Sequence, residues 1–247
     1  MKLLDGADRV AIVAGAAGGI GAAALRGFRA AGSQVAAADL NREQLDVLTA
    51  SDDGAMALAL DCATEKGAHE AIAQTVAHFG RLDYLVNSIG VVGAGTLADT
   101  SLDDWDRILR VNLTSAFLLC RAAHPHLKER RGAVVLLSSV NGVNGGSSVS
   151  GAPYAMAKAG LINMTRYLAM EWAVDRIRVN CVAPGPVETP MIDRLTEADH
   201  AALKARIPLQ EYASAEQVAA QILYLCSDHA ATTTGTVANI SGGLVLD

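Results

Sequence analysis

The prediction of the fold starts from residues 14–21, which read Ala14-Gly15-Ala16-Ala17-Gly18-Gly19-Ile20-Gly21. This stretch joins a short apolar run to an Ala-rich amphipathic run, so it is predicted to connect a first strand to a first helix. Glycines at such a junction let the backbone turn tightly and approach a phosphate, while the helix N-terminus supplies free N–H groups and partial positive charge. A simple turn would need one glycine rather than four. The stretch therefore predicts a binding site for the pyrophosphate of a nucleotide.

Beyond this loop, short apolar or β-branched runs alternate with longer amphipathic runs. Continuous apolar strands that alternate with helices predict a parallel sheet covered on both faces. Right-handed crossovers make this an α/β fold, a doubly wound parallel sheet of the Rossmann type with helices on both faces. Because no linker-like segment interrupts the pattern, residues 1–247 are expected to form a single domain. Strands are predicted at residues 9–14, 34–38, 55–60, 82–87, 133–138, 177–183 and 236–240, and helices at about 19–31, 41–50, 65–79, 102–129, 153–174, 188–209 and 214–227.

Polar residues predict how two of these helices begin. Thr100 or Ser101 is expected to cap the long helix at 102–129. Ser214 is expected to cap the helix at 214–227, and Gln217 completes the pattern of a capping box. The helical segment at 188–209 is expected to form a lid over the substrate.

Composition excludes several classes of function. Hydrophobic residues make up 51% of the chain and charged residues 19%, as in a compact globular protein. The net charge of −6 is spread along the chain without a long basic run, which argues against nucleic-acid binding. No run of 18 apolar residues suggests a membrane span, and Asp5, Asp8 and Arg9 interrupt the amino terminus before a signal-peptide core could form.

The four cysteines are Cys62, Cys120, Cys181 and Cys226. They are far apart and form no C-x-x-C pair, so neither a disulfide framework nor a zinc site is predicted. Reduced, buried thiols in a cytoplasmic protein are the expected state.

Asp39 ends the second predicted strand, 18 residues after Gly21. A carboxylate at that place accepts hydrogen bonds from the adenosine ribose hydroxyls and repels a 2′-phosphate. Leu40 follows it, and the glycine loop carries no Arg or Lys, so the sequence predicts NAD rather than NADP. Arg42 is the one nearby cation that could reach a 2′-phosphate. The alternative role for Asp39 is to cap the helix that begins near Asn41.

Other strand ends point to the same rim, because ligands of doubly wound sheets lie beyond the carboxyl ends of the strands. Asp61-Cys62 closes the third strand, placed for the adenine ring. Asn87-Ser88-Ile89-Gly90 closes the fourth strand, and residues 184–190 follow the sixth.

Tyr154 and Lys158 stand four residues apart in a predicted helix, so they share one helix face. A neighbouring ammonium favours the phenolate and lowers a tyrosine pKa, which suits a general acid/base. The alternative is an ordinary amphipathic face.

Seven motifs together are more specific than any one of them. They are Gly15-x-x-x-Gly19-x-Gly21, Asn87-x-x-Gly90, Asn112, Ser139, Tyr154-x-x-x-Lys158, Pro184-Gly185 and Thr189. In their order and spacing the chain resembles the short-chain dehydrogenase/reductase family over essentially its whole length. This resemblance implies hydride transfer between nicotinamide C4 and a carbonyl or secondary alcohol.

The resemblance also implies four catalytic roles. Tyr154 gives or takes the hydroxyl proton, and Lys158 holds the nicotinamide ribose and lowers the tyrosine pKa. Ser139 hydrogen-bonds the substrate oxygen, with Ser138 as its rival because alternation lets only one of them face the site. Asn112 holds a water that relays protons to solvent.

The expected cofactor is NAD, with no metal. Val187 (by its backbone) and Thr189 are expected to bind the nicotinamide carboxamide. With Tyr154 and Lys158, the residues expected to bind the cofactor are Gly15, Gly18, Gly19, Ile20, Gly21, Asp39, Leu40, Asp61, Cys62, Asn87, Gly90, Pro184, Gly185, Val187 and Thr189.

The chain departs from the family's pattern at several positions. Ala14 stands where Thr is usual, Ser88-Ile89 replaces Asn-Ala, and Ser241 stands where Asp is frequent. Ser139 precedes Tyr154 by 15 residues, slightly more than is common, and the extra residues fall within 141–148. This flexible loop is expected to border the substrate.

The expected substrate is a small, partly apolar alcohol or ketone, and the expected assembly is a homotetramer. Its contact surfaces would be the long helix, the helix of Tyr154 and the C-terminal strand. Three alternatives remain open: a non-catalytic dinucleotide-binding sensor, an NADP-dependent 3-oxoacyl reductase, and a sugar-nucleotide epimerase or dehydratase, for which the chain is short.

Overall fold

The structure, a computed structural model, describes residues 3–50, 52–147, 149–189, 192–193 and 196–246. One parallel sheet organises them, with strand order β3-β2-β1-β4-β5-β6-β9. Its strands are β1 (Val10–Ala14), β2 (Gln34–Asp39), β3 (Ala55–Ala59), β4 (Tyr84–Asn87), β5 (Ala133–Leu137), β6 (Arg178–Pro184) and β9 (Val237–Ile240). The predicted doubly wound sheet is confirmed, since the order reverses direction between β1 and β4.

Helices cover both faces of this sheet. They are α1 (Gly19–Ala31), α2 (Arg42–Thr49), α3 (Glu65–Phe79), α4 (Leu102–Leu109), α5 (Ser115–Arg130), α6 (Val140–Asn144), α7 (Ala152–Glu171), α8 (Glu197–Ala205) and α9 (Ala215–Cys226). No helix among the described residues is both long and apolar enough to span a lipid bilayer.

The two faces of the sheet have separate cores. Ala11 and Val13 of β1 pack with α1, α2 and α9 on one face. Ile12 and Ala14 of the same strand pack with α3, α5 and α7 on the other. Alternating side chains of one buried strand thus contribute to both cores, which explains why its sequence is apolar throughout.

Hydrogen bonds show which of the predicted residues cap the helices. Ser101, rather than Thr100, caps α4 by accepting the N–H of Asp104 at 3.1 Å. Ser214 and Gln217 form the predicted capping box of α9.

The prediction of one regular helix at residues 102–129 is wrong. It is α4 and α5 joined by a π-helical turn, Arg110–Thr114. A π turn holds one more residue than an α turn, so it changes which side chains face the sheet. Asn112 lies inside this turn and is fully buried.

The structure of residues 188–209 also differs from the predicted helix. Val187–Glu188 forms a short strand, β7, which pairs with β8 (Ala213–Ser214), and the helix α8 begins only at Glu197. Thr196 starts α8 with a capping box. Residues 190, 191, 194 and 195 of the expected lid lie outside the described residues.

Candidate active site

The glycine loop between β1 and α1 is packed too closely for side chains. Gly15 has φ of +81°, and a Cβ there would lie 2.7 Å from the carbonyl carbon of Ser88. A Cβ on Gly21 would collide with the carbonyl oxygen of Gly15. Gly18, by contrast, is exposed and begins α1 without a side-chain cap. The loop therefore presents backbone to solvent at a helix start, where the first N–H groups have no partner within the helix.

Asp39 contacts this loop directly. One carboxylate oxygen accepts the N–H of Ala17 at 3.1 Å and the other accepts the N–H of Asn41 at 3.1 Å. Asn41, rather than Asp39, caps α2, so the alternative role for Asp39 is wrong. Leu40 is 71% exposed beside it.

The cation nearest in sequence is already paired. Nε of Arg42 donates to both carboxylate oxygens of Asp46, at 2.8 and 3.0 Å, one helical turn further along α2. Arg42 is thus held along its own helix by an ion pair.

At the end of β3, Asp61 is half-exposed and Cys62 is buried. A carboxylate oxygen of Asp61 accepts the N–H of Ala63 at 2.9 Å, and the other lies 3.8 Å from the guanidinium of Arg110. Burial raises the pKa of the Cys62 thiol to about 12, so it stays protonated at neutral pH.

Asn87, at the end of β4, carries an unsatisfied polar atom. Its Oδ1 accepts the N–H of Ile89 at 3.2 Å, but its buried Nδ2 has no hydrogen-bond partner. Buried donors are rarely left unpaired, so this amide is suited to a ligand at the rim of the sheet. A Cβ on nearby Gly90 would lie 3.1 Å from Oδ1 of Asn112 and 3.2 Å from Nζ of Lys158, which shows how closely the backbone passes these groups.

The end of β6 closes the same rim. Val187 is buried, and Thr189 packs against the start of α1, where a Cβ on Gly19 would lie 2.5 Å from its methyl group. A Cβ on Gly185, which follows Pro184, would lie 3.0 Å from the Cα of Ser241. The segment after β6 and the glycine loop are therefore in contact.

Tyr154 and Lys158 lie side by side on α7, as their spacing predicts. Nζ of Lys158 is 5.5 Å from the centre of the tyrosine ring and donates to the carbonyl of Leu137 at 2.8 Å. Both side chains are buried. Burial lowers the pKa of Lys158 to about 8, against an opposing influence of Cys181, so the ammonium still predominates at neutral pH.

Hydrogen bonding separates the two candidate serines at the end of β5. Oγ of Ser138 donates to the carbonyl of Lys158 at 2.7 Å, so this hydroxyl already links the end of β5 to α7. Oγ of Ser139 accepts the N–H of Asn141 at 3.2 Å, which leaves its own hydrogen free to donate. This geometry favours Ser139 as the residue that faces a substrate oxygen.

Asn112 connects the π turn to the loop after β4. Its Nδ2 donates to the carbonyls of Val91 and Ile108, each at 2.9 Å, and its Oδ1 accepts the N–H of Val91 at 3.2 Å. Both polar atoms of the side chain are thus hydrogen-bonded. The sequence offered no signal for the π turn that positions this residue.

These observations fit a dinucleotide along the carboxyl edge of the sheet. The start of α1 has no side-chain cap, the glycine loop excludes side chains, and Asn87 presents an unpaired buried donor. The glycine loop would hold the pyrophosphate and Asp39 the adenosine ribose, while Lys158 lies at the opposite end.

His124 of α5 makes structural contacts. Nε2 of His124 lies 3.0 Å from a carboxylate oxygen of Asp175, and its ring packs on Trp172. No three His, Cys, Asp or Glu side chains of the described residues are grouped as metal ligands.

Known proteins resemble this chain over nearly its full length. The family model described as Enoyl-(Acyl carrier protein) reductase matches residues 15–245. The chain is 37% identical over 243 residues to the 3-oxoacyl-(acyl-carrier-protein) reductase FabG of Thermotoga maritima, covering 96% of this chain and 98% of that protein. It is 34% identical over 238 residues to the meso-2,3-butanediol dehydrogenase of Serratia marcescens, covering 96% and 94%.

A solved structure shares the whole fold. It is the short-chain dehydrogenase/reductase of Brucella melitensis titled glucose/ribitol dehydrogenase, with a TM-score of 0.94, 33% identity and coverage of 100% of both chains. The chain belongs to the short-chain dehydrogenase/reductase family, and it is an oxidoreductase that uses a nicotinamide cofactor to act on alcohol and ketone groups.

Proposed function

We propose that the protein is an NAD-dependent dehydrogenase that interconverts secondary alcohols and ketones, with Tyr154 as general acid/base. The observation that carries this proposal is the pairing of Tyr154 and Lys158 on α7, with the ammonium 5.5 Å from the tyrosine ring and bonded to the carbonyl of Leu137 at the end of β5, two residues before Ser139. The side chains of Ser139, Tyr154 and Lys158 are all buried, which strengthens their electrostatic interactions.

In this mechanism each residue acts on a stated atom. The cofactor, when bound, supplies the hydride acceptor or donor at its nicotinamide ring. The hydroxyl of Tyr154 takes the alcohol proton during oxidation and returns it during reduction. The ammonium of Lys158 favours the phenolate by its charge, and the hydroxyl of Ser139 donates to the substrate oxygen. Asn112 holds the water that relays protons towards solvent.

Two features support NAD over NADP. The carboxylate of Asp39 is fixed beside the glycine loop, where it would accept bonds from ribose hydroxyls and repel a 2′-phosphate. Arg42, the cation that could have neutralised this phosphate, is paired with Asp46. With Asp39, we assign Leu40, Asp61 and Cys62 to the adenosine end of the site.

The nicotinamide end is assigned to the segment after β6, with Val187 and Thr189 binding the carboxamide. We treat the chain as one catalytic domain whose lid is residues 188–209. A cavity of about 320 Å³ beside Thr189 is lined by the carboxylates of Glu188 and Asp193 and by the ammonium of Lys204. Such a mixed lining supports a small substrate of low net charge.

A homotetramer in the cytoplasm completes the proposal. Large apolar side chains are exposed on α5, on α7 and on the turn after it: Phe117, Met156, Tyr167, Met170 and Val174. Exposed apolar groups on neighbouring elements are typical of a surface that another subunit covers. The four cysteines are free, buried thiols, as in proteins of a reducing compartment.

A second candidate is an NADP-dependent 3-oxoacyl reductase, which the 37% identity to the Thermotoga maritima protein favours. The two candidates differ in cofactor and in substrate charge, so one screen separates them.

The test is a screen of NAD and NADP with secondary alcohols, and of NADH and NADPH with ketones and 3-oxoacyl thioesters. We expect NAD-linked turnover of uncharged alcohols, and a loss of roughly 10²- to 10⁴-fold or more in Tyr154→Phe with NADH binding retained. Tyr167→Phe, which removes an exposed hydroxyl of the same helix, is the control. Near-native activity of Tyr154→Phe would disprove the assigned acid/base, and turnover of thioesters with NADPH alone would favour the second candidate.

A further inference from the structure

Ser139 caps the short helix α6, and the second residue of that helix, Asn141, orients the serine. The N–H of Asn141 donates to Oγ of Ser139 at 3.2 Å, and the carbonyl of Ser139 accepts the N–H of Gly142 at 2.9 Å. With a lone pair of its oxygen engaged in this way, the Ser139 hydroxyl keeps its hydrogen for another acceptor. The backbone of Asn141 therefore sets the direction in which Ser139 donates.

The side chain of Asn141 reaches across the following loop. Its Nδ2 donates to Oγ of Ser150 at 2.9 Å, and Ser150 is almost fully buried. The carbonyl of Ser147 accepts the N–H of Gly151 at 3.0 Å and the hydroxyl of Ser150 at 3.3 Å, which closes the loop into a turn. The buried hydroxyl of Ser150 thus holds the loop, and Asn141 donates the hydrogen bond that this hydroxyl accepts.

Ser150 also holds the loop after β4. Its carbonyl accepts the N–H of Gly93 at 2.9 Å, and a Cβ on Gly151 would lie 3.0 Å from the N atom of Ala94. Two residues before Gly93, Val91 is bonded on both sides to Asn112. The two loops are therefore in direct contact.

These bonds make a continuous connection from Ser139 through Asn141, Ser150 and Gly93 to Asn112. It joins two of the proposed catalytic residues by way of the loop expected to border the substrate and the loop after β4. The described residues 145–147 and 149–151 lie between Ser139 and Tyr154, where the spacing exceeds the spacing common in the family.

We infer that Asn141 is a positioning residue that latches the described residues 145–147 and 149–151 to the 91–95 loop and thereby sets how tightly the substrate is held. Asn141 itself transfers no proton; it acts through Ser139 and Ser150. The inference rests on the proposed function, because it assumes that Ser139 meets the substrate oxygen.

The test is a double-mutant cycle with Asn141→Leu, Ser150→Ala and the pair together. Asn141→Leu keeps the N–H bonded to Ser139 and removes the amide bonded to Ser150. We expect each single change to raise KM for the best alcohol about two- to tenfold, the range that one hydrogen bond corresponds to. Because both changes remove the same bond, the double variant should match the more affected single variant. The Kd for NADH should stay within about twofold, since the latch lies away from the glycine loop.

Ser147→Ala is the matched control, because Ser147 contributes only its carbonyl to the latch. It should leave KM unchanged. Additive effects of Asn141→Leu and Ser150→Ala on KM would overturn the inference. An unchanged KM in Asn141→Leu would also overturn it. An equal loss of NADH affinity in Asn141→Leu would also overturn it, since that would indicate general destabilisation.

A second measurement does not need turnover. Hydrogen exchange at the amides of Gly93 and Gly151 should be faster in Asn141→Leu and in Ser150→Ala than in the parent and in Ser147→Ala. Unchanged exchange in both latch variants would refute the latch itself. Failure of the proposed function would give a different result, in which the parent turns over no alcohol or ketone although the exchange rates respond as expected.

Discussion

The two ends of the candidate site differ sharply in their exposure to solvent. At the nicotinamide end, Lys158 is 3% exposed and Asn112 is fully buried, and their polar atoms are hydrogen-bonded. At the adenosine end, Leu40 is 71% exposed and the side chain of Asp61 is 39% exposed. Proton transfer benefits from groups that are fixed and shielded from water, whereas recognition of a ribose needs only one fixed carboxylate. The buried end should therefore control rate and stability, and the exposed end should control the choice of cofactor.

The strongest test of this difference is Lys158→Met, which removes the charge at the buried end. We expect kcat to fall by about 10²- to 10⁴-fold, because the phenolate of Tyr154 loses its neighbouring cation. Steady-state kinetics measure the effect, and the same substitution at Lys66, whose side chain is 85% exposed, is the control. Equal losses in the two variants would contradict a special role for the buried ammonium.

The same variant should reveal what the buried charge costs in stability. Below about pH 8 the folded and unfolded chains both carry the proton, and folding must bury the ammonium, so Lys158→Met should be more stable by about 2 kcal/mol. Between about pH 8 and the ordinary lysine pKa of 10.5, the unfolded chain holds a proton that the folded chain lacks. The wild-type protein therefore gains stability relative to the variant as pH rises through this window.

Urea unfolding of both proteins at several pH values checks this prediction. Ionisation of Cys62, Cys120 and Cys226 affects both proteins alike and cancels in the difference, and both proteins carry Cys181→Ala because the Cys181 thiol interacts with Lys158. A stability difference that stays constant from pH 7 to pH 10 would contradict it.

At the exposed end, Asp39→Ala should change cofactor preference without disabling the enzyme. We expect the preference for NAD over NADP to fall by about tenfold, because the repulsion of a 2′-phosphate is removed. Ratios of kcat/KM for the two cofactors measure the change. Asp46→Ala releases Arg42 and leaves Asp39 in place, so it separates the two contributions. An unchanged preference in Asp39→Ala would show that another group reads the ribose.

The smallest expected effect concerns Ser138, which ties the end of β5 to α7. Removing its hydroxyl in Ser138→Ala should cost about 1 kcal/mol of unfolding free energy, the typical contribution of one hydrogen bond. Ser147→Ala, which changes an exposed serine, is the control. An unfolding free energy that is unchanged in Ser138→Ala would argue against a role for Ser138 in holding the two elements together.

Much of the buried framework could be predicted because its causes are local. Five consecutive apolar residues in β1, the glycines before α1, and the spacing of Tyr154 and Lys158 each specify a backbone shape or a shared face. The capping box of Ser214 is likewise a short-range pattern.

The features that the sequence did not predict depend on partners distant in the chain. The strand β7 exists only because Val187 and Glu188 meet Ala213 and Ser214. The bond that engages Ser138, and so favours the predicted Ser139 over it, runs to Lys158, which lies 20 residues away. Neither composition nor periodicity reports such contacts.

The π turn at Arg110–Thr114 has a consequence for engineering. Deleting one residue there would restore regular winding, because the turn holds one residue more than an α turn. The helix α5 would then keep its orientation relative to the sheet, but Asn112 would lose the position that the turn gives it. Chimeras with related enzymes should therefore place their crossover points outside this turn, so that the additional residue is inherited together with the helix that follows it.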